Sequence, residues 1–268
     1  MSIAHVIMTR FNLATPGRES DLRNRDGWLE RRFELFERYC LPSVAAQTET
    51  GFAWIVYFDR DTPPVFRARI EAARRIIPFV PYYTGLFRSE GWPRSIRETI
   101  PEADWLLTTH LDNDDALSSD HVARLRAAVD ARPRRAGSFN GLHGLVRAGH
   151  RLYALRHPTN AFFSLLEPWD AAMRTCQDIG HMRIRRFGPV TQIPGPPGWL
   201  QVVHGENVSN KPRGRLIDPA GHAARFPPDA LEGVRAPGLA DRALQNGLLG
   251  PLRDLRDRAS VLRQALRA

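Results

Sequence analysis

The chain has 268 residues, 43% hydrophobic and 25% charged, which is the composition of a folded domain and excludes a disordered or low-complexity chain. No uninterrupted apolar run reaches the roughly 18 residues of a membrane span, and the start lacks the basic segment and apolar core of a signal peptide, so a soluble cytoplasmic protein is expected. The formal charge of +9, almost all arginine with Lys211 the single lysine, fits anionic partners. Cys40 and Cys176 lack metal-ligand spacing and suit free thiols in a reducing compartment.

In chain order, residues 3–8 read as a buried strand that runs into Thr9, Arg10, Phe11 and Asn12 at its carboxyl end, followed by a polar loop over residues 14–27. Leu29, Phe33, Phe36 and Cys40 mark one face of a helix that Pro42 should stop. Residues 52–58 form a second strand ending at Asp59. Thr62 and Pro63 then cap a helix carried by Phe66, Ile70, Ala73 and Ile77. A third strand at residues 78–84 and a short helix marked by Trp92, Ile96 and Ile100 lead to a fourth strand at residues 105–111. Four alternations of strand and helix argue for an α/β fold with a parallel sheet and crossover helices.

The fourth strand ends abruptly in Asp112, Asp114 and Asp115, and a helix marked by Val122, Leu125 and Val129 follows until Pro133. Three carboxylates so close together repel and require a cation, basic neighbours or open solvent. Carboxylates at i and i+2 suit Mg2+ or Mn2+, which keep waters and share their coordination with a substrate phosphate. A solvated acidic turn is the plain alternative. A calcium-hand loop fails, because the sixth position is Leu117 where Gly is needed and the twelfth is Ala123 where Glu is needed. The location is also informative, since open α/β sheets bind ligands beyond the carboxyl ends of their strands.

Beyond Pro133 the pattern is more antiparallel. A strand at residues 136–139 and a hairpin at residues 142–146 and 151–155 precede the Gly195-Pro-Pro-Gly198 breaker, after which residues 199–210 run from a short strand into a loop. Residues 211–250 are rich in Pro, Gly and Ala. Leu252, Leu255, Ala259, Leu262 and Leu266 form the stripe of a terminal helix flanked by arginines. That helix suits an anionic membrane surface, or packing on the domain or a partner subunit.

Arg10-Phe11-Asn12, Trp54 to Asp59 with Thr62-Pro63, the acidic box from Leu111 to Leu117, Phe139-Asn-Gly141, and Trp199-x-Gln-Val-Val-His-Gly-x-Asn207 occur in one order. Together they resemble the bacterial rhamnosyltransferase family, whose members are similar to glycosyltransferases of the GT-A fold, over roughly residues 3–215. The resemblance implies a Rossmann-type, mostly parallel sheet with flanking helices, a nucleotide-sugar half to about residue 117, an acceptor half over about 118–215, and a C-terminal helical extension over 216–268. It implies a nucleotide-diphosphate sugar donor and a saccharide or lipid-linked acceptor. Asp112 and Asp114 would hold the divalent ion, with Asp115 as an auxiliary carboxylate. Thr9, Arg10 and Asp59 would lie near the base and ribose, and Arg97 near the diphosphate. His204 would complete the metal site and favour manganese, because imidazole suits Mn2+ better than Mg2+. An inverting transferase also needs a base for the acceptor hydroxyl. Asp178 is the first choice, with Glu167 and Glu206 as alternatives, and Trp199 is a candidate for stacking on an acceptor sugar. Two rival functions use the same features: a metal-dependent phosphohydrolase or nucleotidyltransferase built on the acidic cluster, and a basic nucleic-acid-binding protein. The latter is not expected, because the arginines are dispersed and no reader motif occurs.

Overall fold

A computed structural model describes residues 1–13, 25–85, 91–205 and 211–253. The parallel half begins with β1 (Ile3–Arg10), whose Val6, Ile7 and Met8 are fully buried because both faces of the sheet are covered. β2 (Ala53–Asp59) and β4 (Trp105–His110) flank it in parallel, and β3 (Val80–Thr84) lies beyond β2 at the edge. Between them run α1 (Trp28–Leu35), α2 (Leu41–Ala45), α3 (Pro64–Arg74) and α4 (Gly91–Thr99).

The helix expected to stop at Pro42 continues to Ala45 through a π-helical turn over Phe36–Cys40. In that turn the Leu41 amide bonds back to the Phe36 carbonyl. The wider spacing accommodates a residue that lacks an N–H and whose ring would clash with the carbonyl four residues back.

After β5 (Ala116–Leu117) and α5 (His121–Asp130), the chain adds β6 (Gly137–Gly141), β7 (His143–Ala148) and β8 (Arg151–Arg156). It then adds β9 (Ser164–Pro168), β10 (Val190–Ile193), β11 (Trp199–Val203) and β12 (Arg215–Ile217). Two sheets result. A seven-stranded sheet has the order β10-β6-β9-β4-β1-β2-β3, with β9 antiparallel to both neighbours. A five-stranded sheet has the order β12-β8-β7-β11-β5. The α/β class with a mixed second half, expected from the sequence, is the one the chain adopts.

The domain boundary expected at residue 215 falls inside β12, which pairs with β8. Beyond it Phe226, Ala230 and Leu231 are buried against Leu145, Leu152 and Leu200 of the second sheet. Residues 216–231 are therefore part of the same core. α6 (Leu239–Leu244) and a second π-helical turn, Gln245–Leu249, come next. Most of the expected terminal amphipathic helix lies outside the described residues. Among the described residues no helix is long and apolar enough to cross a membrane.

Candidate active site

β1 and β4 are neighbours, so the loops that leave their carboxyl ends meet. The Asn113 amide nitrogen donates to the carbonyls of Arg10 at 3.1 Å and Phe11 at 2.8 Å, fastening the acidic box to the end of β1. The backbone ladder persists past the strand ends, since Phe11 N donates to Tyr57 O and Leu111 N to Met8 O. Asp112 and Asp114 thus face a fixed cavity of about 610 Å3, within the range of small-molecule sites. Arg10, Asn12, Trp28 and His110 from the first half of the chain line it together with His157, Asn160, Gln177, His181 and Gln201 from the second, and with Lys211 and Arg213.

Asp114 is the anchor of this site. Its Oδ2 accepts from Arg32 Nη1 at 2.8 Å and lies 2.9 Å from His204 Nε2. Burial alone would raise this carboxyl, but the His204 hydrogen bond and the Arg32 charge outweigh it and hold the group below its ordinary range. Arg32, on α1, also donates to Asn113 Oδ1 at 3.3 Å and lies 5.4 Å over the Trp28 ring. No sequence signal singles out Arg32, because it lies eighty-odd residues before the box on a helix legible only by its apolar face. Asp112 is the open member, with a side chain 35% exposed and His110 Nε2 3.7 Å away. Burial lowers the His110 and His181 pKa values, which keeps both rings neutral near pH 7.

The donor set suits a hard divalent ion that shares its coordination with a ligand. Among the described residues no three His, Cys, Asp or Glu side chains group into a complete metal cage. An ion that takes one or two carboxylates and completes its shell with phosphate oxygens and water needs no such cage. Asp112, partly exposed, and Asp114 both line the cavity. Arg32 meanwhile supplies the positive charge that buried Asp114 requires.

Several expected site residues lie elsewhere. Asp115 is 1% exposed and outside the cavity; its Oδ1 accepts from Val202 N at 2.8 Å, joining the box to β11. Burial and the neighbouring Asp114 and Asp112 charges push its carboxyl well above the ordinary range, and its contact is with the β11 backbone, not with the cavity. Thr9 is fully buried and accepts from Trp54 Nε1 at 3.0 Å, inside the sheet where no ligand reaches. Asp59 stands at the end of β2 as expected, but its Oδ1 accepts from Asp61 N and its own amide donates to Asn12 Oδ1; Asn12 is the one that lines the cavity. Arg97 donates to the Asp170 carbonyl away from the cavity. Trp199 does line the cavity, as expected, but it is 1% exposed, stacked on Phe162 at 4.9 Å and held by Nε1 donating to Gly141 O, so most of its ring is packed in the core.

On the acceptor side, Asp178 closes a turn by accepting from Thr175 N and Oγ1. Its neighbours Gln177 and Ile179 line the cavity while Asp178 does not. Glu167 is paired with Arg174 at 2.7 Å, and Glu206 lies outside the described residues. Arg10 lines the cavity as expected. His204 meets Asp114 as expected of one shared site, but it bonds the carboxylate directly, and its ring lines a smaller adjoining cavity with Tyr39 and Gly205.

Residues 4–216 match the family profile described as "Putative rhamnosyl transferase". A search of curated protein sequences finds no match. Among solved structures, the chain resembles Staphylococcus aureus TarS 1-349 in complex with UDP-GlcNAc, with 10% identity, 77% of this chain and 60% of that chain covered, and a TM-score of 0.48. It also resembles TarS 1-349 in complex with UDP, with 11% identity, 76% and 61% covered, and a TM-score of 0.45. The apo-form glycosyltransferase GlyE of Streptococcus pneumoniae matches at 10% identity, 78% and 57% covered, with a TM-score of 0.35. The chain therefore spans about three fifths of the length of these structures.

Proposed function

The chain belongs to the rhamnosyl transferase family, and from that premise we propose that it moves a sugar, rhamnose by the family's description, from a nucleotide-diphosphate donor to a saccharide or lipid-linked acceptor. The observation that carries this reading is the pairing of Asp112 and Asp114 with a cation-rich wall around one cavity at the ends of β1 and β4. A nucleotide diphosphate brings at least two negative charges, and Arg10, Arg32, Lys211 and Arg213 are the groups that line the cavity to meet them.

Asp112 and Asp114 would hold Mg2+ or Mn2+ against the diphosphate, where the ion supplies Lewis-acid stabilisation to the departing phosphate. Every other task belongs to the chain. Arg32 orients Asp114 and stands ready for the charge that builds on the leaving group. His204, behind Asp114, fixes the carboxylate by its hydrogen bond; in this reading it is a positioning residue and not a metal ligand. Asn12 and Trp28 line the wall nearest the end of β2, where the nucleoside fits.

On the acceptor side, His181 is neutral and faces the cavity, so its imidazole takes the proton from the attacking hydroxyl. Asp178 is already committed to Thr175. Nucleotide-diphosphate release from a panel of nucleotide sugars, with and without saccharide acceptors, tests the reading. One donor turned over with acceptor-dependent release is the expected result. Hydrolysis of simple phosphate esters without transfer from any donor would overturn it in favour of a phosphohydrolase.

A further inference from the structure

Next to the cavity, the 3-10 turn that begins at His181 continues, through Met182 to Phe187, into a surface to which the proposed sugar transfer assigns no role. One side chain pins the turn: Ile184 is fully buried in the core cluster that holds Val6, Met8 and Tyr57. Its neighbours Met182, Arg183, Arg185, Arg186 and Phe187 are all exposed, Met182 to 68% and Phe187 to 39%. Arg183, Arg185 and Arg186 have no ion-pair partner among the described residues. No Asp or Glu occurs from residue 179 to residue 205, and Asp178, just before that stretch, accepts from Thr175. The guanidinium of Arg174, paired with Glu167, lies 5.3 Å over the Phe187 ring.

A single exposed apolar residue is ordinary, and so is a solvated arginine. Exposed Met and Phe bracketing three arginines with no acidic counterpart is the chemistry of an interfacial contact, in which apolar tips enter the headgroup boundary while cations meet anionic lipid. We propose that this rim docks the protein on the anionic surface of a lipid bilayer. A soluble polyanion would engage the arginines but gives Met182 nothing to bury in, and one face of Phe187 is already covered by Arg174. The orientation has a functional consequence, because Gly180, His181 and Met182 also line the cavity. Docking here turns the cavity mouth toward the membrane, where a lipid-linked acceptor resides. The docking itself does not depend on the sugar-transfer reading.

Flotation of the full-length chain with vesicles of phosphatidylcholine alone, or of phosphatidylcholine with phosphatidylglycerol, tests the proposal. Wild type is expected to float with the anionic vesicles only, and less as salt rises. The R183E/R185E/R186E variant should bind them at least about tenfold more weakly at an unchanged melting temperature. M182S/F187S, which keeps every charge, should also bind more weakly. Wild type that stays at the bottom with anionic vesicles overturns the proposal, as does equal flotation on both vesicle types or undiminished flotation of the triple variant. Binding to soluble polyphosphate without binding to vesicles overturns it in favour of a polyanion partner. Transfer to a soluble acceptor by the triple variant reports on the active site independently.

Discussion

Arg32 shows why a site is only partly legible at the scale of residues. Asp112 and Asp114 announce themselves because adjacent carboxylates at a strand end are costly without a cation. The partner that neutralises Asp114 at 2.8 Å comes from a helix whose sequence reads as a solvated charged face. Asp115 is legible as an acid but not as a buried one, because only the tertiary fold brings the Val202 amide to it. The same limit applies to the base. Asp178 is the natural choice in a linear reading, yet the local turn claims its carboxylate and leaves His181 facing the cavity. His181→Ala should therefore lower kcat by about 10²–10⁴ while leaving the donor KM unchanged. Asp178→Asn should mainly lower thermal stability through loss of the Thr175 turn bonds. Steady-state kinetics and melting curves of the two variants check this; the opposite split, with kcat lost in Asp178→Asn alone, would return the role to the carboxylate.

Among elements, the parallel half is readable because each strand is a continuous apolar run punctuated by caps and prolines, and buried parallel strands need no alternation. β9 is not readable in that way. Residues 162–166 are one apolar run with a single Ser, which reads equally as a buried helix segment, and only its insertion between β4 and β6 makes it a strand. Trp199 is legible as a site aromatic but not as core: it lines the cavity and is also the wedge that joins β11 to β7. Its ring lies over Gly144, where an added Cβ would come within 2.0 Å of ring carbon Cδ2. Gly144→Ala should thus force the Trp199–Phe162 stack apart and destabilise the chain by at least about 1–3 kcal/mol. Denaturant midpoints decide it, and an unchanged midpoint would contradict the packing described.

On the scale of the whole molecule, the seven-stranded sheet supplies the end of β1 and the acidic box, while the five-stranded sheet supplies Gln201 and brings His204 to Asp114. The two halves that the sequence suggests as donor and acceptor regions therefore meet at one carboxylate. Residues 216–231 are not an appendage, since β12 and the buried Phe226, Ala230 and Leu231 complete the second sheet's core. The sequence hides this because short 3-10 turns between prolines have no hydrophobic period to read.

In the proposed reaction, Asp112 and Asp114, the latter held by Arg32 and His204, would hold a divalent ion that would supply Lewis-acid assistance to cleavage of the nucleotide sugar. The most direct measurement of that role is turnover of the preferred donor by wild type, Asp112→Asn, Asp114→Asn and Asp115→Asn, each with added Mn2+ or Mg2+ and with excess chelator. Wild-type turnover should be abolished by chelator and restored by metal. Asp112→Asn and Asp114→Asn should each lose at least about 10²-fold, while Asp115→Asn, buried outside the cavity and able to keep its bond from the Val202 amide, should stay near wild type. Full turnover in chelator, or in either of the first two variants, would contradict the assignment.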